Sequence, residues 1–495
     1  MAEYRFSETR TQAYGYPGCK TAYQHALPVP ADRFKNMEYA MTERSTHKQH
    51  STCGTLTRTV LLISLVLFQA GCGPRDQTGE NTSGGTVAVI TVWAHHGKPA
   101  EWQTITDQVD RFNRTHQDIR AELIEIAESN YDTQVQSAAA DRELPDVLEF
   151  DGPMLANYAW KGYLTPIGDE LNPSLVTDLI ESIKVQGTYA DKLYAVGTFD
   201  SGLGLYADKS KLEETGARIP GNWQDAWTVD EWNSVLDALA KRESKTGGDG
   251  QVLDLKRDYR GEWWTYGFYP VLVSAGGDLI DREDYQSAAG VLTSTESVRA
   301  LKHIRKWFDN GLVDPNTDGR AFIDRRVALS WVGHWEYPRY RKALGDDLVL
   351  LPLPDFGKGS TTGMGSWCWG ISRSCSNRAA AITFLEFLLQ PEEILAITEA
   401  NGAVPATNTA IAQSADYQPG GPLHLFAAML RHCAVPRPRT PAYPVITSAF
   451  QQAMLNIITG APVEEELVQA ARIIDRDIEE HDVYPRLVPE HSTAK

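Results

Sequence analysis

The chain has 495 residues, of which 42% are hydrophobic and 23% charged, a composition typical of a globular protein. Its formal net charge is −18 at pH 7, which argues against nucleic acid as a partner because such partners favour a basic face. About four hundred residues follow the N-terminal segments, too many for a single core, so we expect two domains.

A short apolar run at residues 59–72 follows Arg58 and ends at small residues and a cysteine. It is shorter than the ~20 residues that cross a bilayer as a helix. It is typical of a secretory signal with a processing site. Residues 70–72, Ala-Gly-Cys, resemble a bacterial lipobox, although Gln69 stands where a leucine is usual. We therefore expect an exported protein anchored to a membrane through lipid on Cys72. A buried apolar segment with a chance cysteine is the alternative.

The segments on either side of this run carry no pattern of a folded domain. Residues 1–58 contain a polar leader that is either disordered or, if translation starts at Met37 or Met41, not translated. Residues 73–85 are rich in Gly, Ser and Thr, as expected of a flexible tether.

Three cysteines, Cys368, Cys375 and Cys433, follow Cys72. No C-x-x-C pair occurs, so neither a zinc site nor thioredoxin-like chemistry is indicated. One disulfide could form in an oxidising compartment, and the sequence does not determine which pair would make it.

The first folded region alternates strands and helices. Residues 87–93 form a near-continuous apolar run, typical of a buried parallel strand. A helix is predicted from Pro99, with apolar positions on one face, followed by a strand at 119–126. A helix at 131–140 and a strand at 147–150 complete a β-α-β-α-β pattern. Such a pattern predicts a parallel sheet with right-handed crossovers.

Polar residues follow two of these strands. In parallel sheets ligands bind beyond the carboxyl ends of the strands, where Trp93, His95, His96 and Asp151 stand. The adjacent histidines could bind a metal, but hydrogen bonding to a polar ligand or simple packing is favoured, because neighbouring side chains on an extended segment point in different directions. Asp151 and Asp200 could form a glycosidase pair, which requires a separation of ~5–9.5 Å. Binding of ligand hydroxyls and helix capping are the other roles open to them.

The remaining elements are predicted from apolar patterns, caps and breakers. Thr228 and Glu231 have the spacing of a capping box, and Pro462 is expected as the first residue of the last helix. The predicted strands lie at 203–206, 327–331, 348–354 and 369–372, with a glycine-rich loop at 363–367. One predicted helix begins at 229, and a second, with apolar residues at 298, 301, 304 and 308, ends at Gly311. Further helices are predicted at 379–389, 391–401, 444–459 and 462–478.

Thirteen tryptophans are present, several of them in polar, glycine-flanked segments. Loop aromatics more often pack than bind, but their clustering near turns favours a ligand cleft. The sequence holds no G-x-x-x-x-G-K-[ST], H-E-x-x-H or G-x-S-x-G motif, which leaves phosphate-loop, zincin and hydrolase chemistry without a signal.

Several short segments in a characteristic order carry a family resemblance. They are Ile90-Thr91-Val92-Trp93, Leu144-Pro145-Asp146-Val147, Asp200-Ser201-Gly202, the helix start at 228–232, Ser274-Ala275-Gly276-Gly277, Gly333-His334-Trp335 and Ala403-Val404-Pro405. In this respect the chain from about 86 to 481 resembles the extracellular solute-binding proteins of ATP-driven importers, of the sugar-binding type related to maltodextrin-binding protein.

The resemblance implies an α/β, two-lobe (type II) periplasmic-binding-protein fold, each lobe a mainly parallel sheet flanked by helices, closing on ligand by a hinge. It places chain crossings near 198–201, 352–355 and 401–405. The lobes implied are 86–198 with 355–401, and 201–353 with 404–485.

The resemblance also implies a binding role without catalysis or cofactor. The ligand-binding residues it implies are Trp93, His95, His96, Asp151, Asp200, Tyr266, Tyr269, Trp335, Gly365 and Trp367. The expected partners are a carbohydrate, the transmembrane permease subunits of an importer, and a membrane through the lipid. An exported glycan-active enzyme, a glycerol-phosphate-type binder on the same fold, and a structural lipoprotein or chemoreceptor partner are the alternatives. No clear arginine cluster for a phosphate is visible in the sequence.

Overall fold

The computed structural model describes residues 87–481 and 484–485, which belong to one compact unit, Thr82–Lys495. The leader, the apolar run with Cys72 and the tether lie outside the described residues. Among the residues described, no helix is both long enough and apolar enough to cross a membrane.

The strands are short apart from the first two. They are β1 (Ala88–His96), β2 (Ile119–Ala127), β3 (Val147–Asp151), β4 (Thr188–Tyr189), β5 (Lys192–Leu193), β6 (Ala195–Val196), β7 (Phe199–Asp200), β8 (Leu203–Asp208), β9 (Leu253–Asp254), β10 (Leu329–Gly333), β11 (Leu348–Leu351), β12 (Thr362–Met364), β13 (Trp367–Ile371), β14 (Val404–Pro405) and β15 (Ala434–Pro436).

Helices separate most of these strands. They are α1 (Pro99–Thr115), α2 (Tyr131–Asp141), α3 (Leu155–Trp160), α4 (Pro173–Asp178), α5 (Glu181–Gly187), α6 (Lys209–Thr215), α7 (Val229–Lys245), α8 (Trp263–Tyr266), α9 (Tyr269–Ala275), α10 (Thr295–Asp309), α11 (Tyr337–Leu344), α12 (Arg378–Leu388), α13 (Pro391–Asn401), α14 (Asn408–Gln413), α15 (His424–His432), α16 (Tyr443–Thr459) and α17 (Val463–Glu480).

The first sheet has the strand order β2-β1-β3-β13-β6. Strand β1 pairs in parallel with β2 and β3, which confirms the β-α-β-α-β prediction. Strand β13 returns antiparallel to β3 and places Trp367 opposite Asp151. The predicted loop at 363–367 is therefore wrong at both ends, because Gly363 lies in β12 and Trp367 begins β13.

The second sheet has the order β11-β8-β10-β9. Its central strand β8 pairs antiparallel with both β10 and β11, and β10 pairs in parallel with β9. The expectation of a mainly parallel sheet in each lobe is therefore wrong for this one. Apolar runs predict strands but not their direction, so the antiparallel pairing of β8 was not visible in the sequence.

Buried apolar side chains form a core against each sheet. In the first core, side chains alternate along β1 and β3, so that Val92 and Val147 pack on one face of the sheet and Leu148 and Phe150 on the other. The second core surrounds β8 and β10 and is rich in indoles, including Trp232, Trp307 and Trp331. Each sheet thus has its own apolar centre, as two lobes require.

The chain passes between the two sheets in three places. The first passage is β7, and the second lies between β12 and β13. The third follows α13 and includes β14, which pairs antiparallel with β7. Phe356 and Met364 pack in the second core, whereas Ala406 and Ala410 pack in the first. The second passage therefore begins after Met364. The third passage still contacts the first core at Ala410, and it ends before Tyr417, which packs in the second core.

Local signals at the helix ends are largely confirmed. Thr228 and Glu231 form the capping box at the start of α7. Gly402 ends α13 with φ of 71°, a left-handed conformation that glycine adopts without strain. Pro462 is the N-cap of α17 rather than its first residue, because Val463 is the first to take helical geometry.

Candidate functional site

A stacked pair of rings stands at the carboxyl end of β1. The imidazole of His95 lies on the indole of Trp367, with ring centroids 3.7 Å apart and planes 4° from parallel. The Tyr131 ring meets the same indole edge-on at 5.4 Å. We call His95, Tyr131 and Trp367 the first wall. Since His95 covers one face of the half-buried indole, a ligand has only the opposite face available.

His95 is paired with a buried carboxylate, and two further carboxylates lie nearby. Its Nδ1 lies 2.7 Å from Oε2 of Glu149, which also accepts the His95 backbone N–H at 3.1 Å. Burial alone would lower the pKa of His95, but the Glu149 charge and hydrogen bond, with smaller contributions from Glu101 and Glu128, raise it to about 9. His95 is therefore an imidazolium at neutral pH, paired with a buried carboxylate.

A second set of aromatic rings belongs to the lobe of the second sheet. Trp335 lies 6.2 Å from both Trp263 and Tyr266 and 6.5 Å from Tyr259, measured between ring centroids. Its Nε1–H donates to the Tyr259 hydroxyl at 3.0 Å, and that hydroxyl donates to Glu336 at 2.8 Å. We call these four aromatic residues the second wall. The hydrogen-bond chain fixes the orientation of the Trp335 indole.

Lys98 forms the first bridge between the lobes. It precedes α1, close to His95, and its Nζ donates to Oε1 of Glu336 at 3.1 Å and lies 5.6 Å from the centre of the Tyr259 ring. Glu336 is almost completely buried. Burial raises its pKa, but the charges of Lys256 and Lys98 and the Tyr259 hydrogen bond outweigh burial and lower it overall. Glu336 is therefore a carboxylate at neutral pH.

Arg437 forms a second bridge between the lobes. Its two terminal nitrogens donate to the Asp151 carboxylate at 2.6 and 2.7 Å, and one of them also reaches Glu262 at 3.1 Å. The guanidinium lies 4.7 Å from the centre of the Tyr266 ring and donates to the Gly365 carbonyl at 3.2 Å. A buried arginine in a bidentate pair of this kind fixes geometry as well as charge.

The acceptors of Arg437 are themselves supported. Tyr443, at the start of α16, donates its hydroxyl to Glu262 at 2.6 Å. Burial raises the pKa of Glu262, and the Arg437 charge acts against that rise. Next to this bridge, the Tyr266 hydroxyl and the Nε of Arg437 are buried without a hydrogen-bond partner.

Six of the predicted site residues lie in these walls and bridges: His95, Asp151, Tyr266, Trp335, Gly365 and Trp367. Gly365 belongs to the second bridge, where its φ of 101° and its hydrogen bonds to Asp200 and Arg437 place its backbone close to both. An alanine there would bring its Cβ to 2.7 Å from Gln186.

The other predicted residues have different surroundings. His96 is exposed and paired with Glu125, away from His95. Trp93 is half-buried and packs beside the first core, and its backbone oxygen accepts the Tyr131 hydroxyl at 3.3 Å. Asp200 is fully buried and accepts the backbone N–H groups of Ser201 and Gly365. Tyr269 is fully buried and donates to the Val435 carbonyl. None of the four joins the two walls.

The residues that sequence reasoning missed are mainly charged. Glu149 gave a usable signal, since a carboxylate inside an apolar strand requires a partner. Lys98 gave none, because a lysine before a helix is ordinary. Arg437 stands between two prolines far along the chain from Asp151, and no local pattern connects them.

Groups that could support other chemistry are occupied or dispersed. Asp151 is bound by Arg437, and Oδ1 of Asp200 accepts backbone amides, whereas its buried Oδ2 has no hydrogen-bond partner. Within residues 87–481 and 484–485, no cluster of three His, Cys, Asp or Glu side chains could hold a metal ion. Cys368, Cys375 and Cys433 are free thiols. Cavities of about 400 Å³, beside α2, α3 and the start of α16, and about 350 Å³, between the ends of α10 and α16, lie outside the two walls.

Two lobes, each built on its own sheet, joined by three passages and bridged by the ion pairs of Lys98 and Arg437, define a type II periplasmic-binding-protein fold. The chain belongs to the bacterial extracellular solute-binding protein family, because a sequence model of that family matches residues 107–421.

The chain is similar to several known proteins. An uncharacterised lipoprotein in the oleD 5′ region of Streptomyces antibioticus is 24% identical over 363 residues, covering 71% of this chain and 77% of that protein. Maltodextrin-binding protein MdxE of Bacillus subtilis (strain 168) is 23% identical over 357 residues, covering 68% and 81%. The GacH receptor of Streptomyces glaucescens GLA.O, solved unliganded and with acarbose, is 19% identical with a TM-score of 0.65, covering 79% of this chain and 98% of that one.

Proposed function

We propose that the protein is the substrate-binding lipoprotein of an ATP-driven importer, which captures a carbohydrate between its lobes and delivers it unaltered to a membrane permease. The observation that carries this proposal is the pair of aromatic walls, one on each lobe, joined by charged bridges at Lys98 and Arg437. The names of relatives such as the maltodextrin-binding protein support the same class of ligand.

The chemistry of the walls suits a sugar. Indole and phenol faces cover the apolar C–H patches of a pyranose ring, while carboxylates and amides satisfy its hydroxyls. Buried polar groups left unpaired cost about 1–3 kcal/mol each, so a sugar with a misplaced hydroxyl is rejected. The unpartnered Tyr266 hydroxyl and Arg437 Nε are groups that a ligand hydroxyl could satisfy.

The charges favour a neutral sugar over a phosphate-bearing solute. Arg437 is engaged by Asp151 and Glu262, and Lys98 by Glu336. A phosphate would have to displace one of these carboxylates and would then lie among the others. A glycerol-phosphate-type ligand is therefore the weaker proposal. An exported glycan-active enzyme would need Asp151 released from Arg437 for catalysis.

The lobe boundaries are part of the proposal. We place the first lobe at about 87–198 with 366–401, and the second at about 203–364 with 417–485. The third passage is then 402–416, which packs in both cores. Compared with the lobes expected from the sequence, the second passage lies about ten residues later in the chain, and the third passage ends later. Closure about the passages shifts the open–closed population when ligand binds, and the permease senses the closed form.

The site of action follows from the N-terminal signal. We propose export and attachment to a membrane by lipid on Cys72, with residues 73–85 as the tether. A chemoreceptor partner or structural lipoprotein would use the same lobes without transport. Two permease genes beside the gene for this protein would favour import.

Thermal unfolding against a panel of sugars tests the ligand class. A ligand present at 100 times its Kd is expected to stabilise the protein by about 2.7 kcal/mol. We expect neutral mono- or oligosaccharides to raise the melting temperature, and uronic acids and sugar phosphates of similar size to leave it unchanged, because the bridges present carboxylates. Absence of a shift with every neutral carbohydrate would count against the proposal.

Alanine at Trp335 or Trp367 is expected to weaken sugar binding more than tenfold, which is about 1.4 kcal/mol or more, because each removes an aromatic face. Isothermal titration calorimetry with the sugar identified by the panel measures this. Trp223→Ala is the control, since Trp223 stacks on His432 outside both walls. Equal affinity of the three variants would remove Trp335 and Trp367 from the site.

A further inference from the structure

One buried histidine, His334, contacts the three passages between the lobes. Its Nε2 lies 2.8 Å from the hydroxyl of Ser201, beside the first passage. That hydroxyl lies 3.0 Å from the hydroxyl of Ser366, in the second passage. Its Nδ1 lies 3.0 Å from the backbone oxygen of Asn401, where the third passage begins. His334 is 2% exposed, so these contacts are shielded from water.

The tautomer of His334 follows from its partners. The Asn401 carbonyl can only accept, so Nδ1 of His334 carries the proton. Burial lowers the pKa of His334 to about 4, so the ring is neutral and Nε2 is an acceptor. The Ser201 hydroxyl directs its single proton towards two acceptors, Nε2 of His334 and the Ser366 hydroxyl oxygen. His334, Ser201, Ser366 and Asn401 thus form one connected set of hydrogen bonds at the three passages.

Close packing adds to these bonds. A Cβ on Gly402 would lie 2.9 Å from the backbone oxygen of His334, so the third passage approaches the histidine as closely as a glycine allows. The next two residues, Trp335 and Glu336, are the indole of the second wall and the carboxylate that binds Lys98. A short turn therefore carries a hinge contact, a wall residue and a bridge in sequence.

We infer that His334 is the positioning residue of the hinge: by bonding to Ser201 and Asn401, and through Ser201 to Ser366, it holds the three passages in register and so fixes the angle at which Trp335 is presented to the first lobe. The inference goes beyond the proposed function, because it concerns the geometry of the ligand-free protein.

Distances between the lobes test this inference without any ligand. Spin labels on ketone-bearing unnatural residues at exposed positions Gln103, on α1, and Lys302, on α10, report the interlobe distance by double electron–electron resonance in the full chain. His334→Phe keeps a ring of similar size but removes its hydrogen bonds. Ser201→Ala keeps the histidine but removes the hydroxyl that links it to Ser366. Both variants are expected to broaden the distance distribution relative to the parent protein.

His303→Phe is the matched control, because His303 is half-buried in the second lobe and packs against Phe356 outside the passages. It should leave the distribution unchanged. If His334→Phe does not fold, Ser201→Ala decides the question. A folded His334→Phe or Ser201→Ala protein with the parent distribution would overturn the inference, as would equal broadening by His303→Phe. Sugar binding enters none of these outcomes, so failure of the ligand proposal would be seen separately.

Discussion

Replacing Arg437 with methionine is expected to lower the free energy of unfolding by about 3–5 kcal/mol at pH 7, because it removes one partner of a buried ion pair. Asp151 and Glu262 would remain as neighbouring carboxylates without a cation. Methionine fills much of the arginine stem volume, so the loss is electrostatic rather than a cavity effect. Urea unfolding followed by circular dichroism measures the change.

The loss should depend on pH in a defined direction. Burial already raises the pKa of Glu262, and Arg437 opposes that rise. Without Arg437 the folded protein binds the Glu262 proton still more tightly than the unfolded chain does. Stability of the variant therefore increases as pH falls from neutrality towards the ordinary value of 4.5, since protonation removes the unpaired charge. The difference in free energy of unfolding between the parent protein and Arg437→Met should therefore become smaller as the pH falls over that range.

Two further proteins separate this explanation from simple loss of packing. Arg257→Met removes a half-buried arginine that donates to the Pro315 carbonyl, and should cost less because its partner is a neutral carbonyl rather than a buried carboxylate. Adding Asp151→Asn and Glu262→Gln to Arg437→Met should recover most of the stability. A triple variant as unstable as the single one would contradict the electrostatic account.

The sequence was most informative where local rules agree with the fold. The apolar runs and amphipathic helix of the first region predicted β1, α1, β2, α2 and β3 within a few residues, because period and capping are local properties. The second sheet was harder. Strand β8 pairs antiparallel with two strands far along the chain, and apolar runs do not encode strand direction.

The site was predicted unevenly for a related reason. Trp335 and Trp367 stand in glycine-flanked segments, and this context together with the family resemblance predicted them as ligand-binding residues, which stays a prediction. Asp200 and Tyr269 were also expected to bind ligand, yet they are bonded within the protein, because a polar residue at a passage can satisfy backbone groups as well as a ligand. The Arg437 bridge depends on a contact between residues 286 positions apart, which composition and spacing do not reveal.

Substituting Glu149 with glutamine is expected to remove most of the stability that the buried imidazolium of His95 contributes near neutral pH. A rise in the His95 pKa from 6.5 to about 9 corresponds to about 3 kcal/mol. Glutamine keeps the shape and a hydrogen bond but not the charge. His95 should then lose its proton on folding, since burial alone lowers its pKa.

The stability contributed by the His95–Glu149 pair depends on pH in a defined direction. Because the folded pKa of His95 is raised, its contribution is complete below about pH 6.5 and is lost as pH rises through about 9. The parent protein should therefore lose stability over this range more steeply than Glu149→Gln. Burial also raises the pKa values of Cys375 and Cys433, which weakens both proteins at high pH and cancels in their difference.

Unfolding free energies of both proteins at pH 6.5 and pH 9.5 provide the measurement, with the ring resonances of His95 followed by NMR over the same range. The stability difference between parent and Glu149→Gln should be largest at pH 6.5 and small at pH 9.5. A difference independent of pH would mean that Glu149 acts through packing alone. The change also affects the proposed sugar site, because the His95 ring stacks on the Trp367 indole with centroids 3.7 Å apart and covers the indole face opposite to the one proposed to bind sugar. Sugar affinity of Glu149→Gln should accordingly fall even where the protein remains folded.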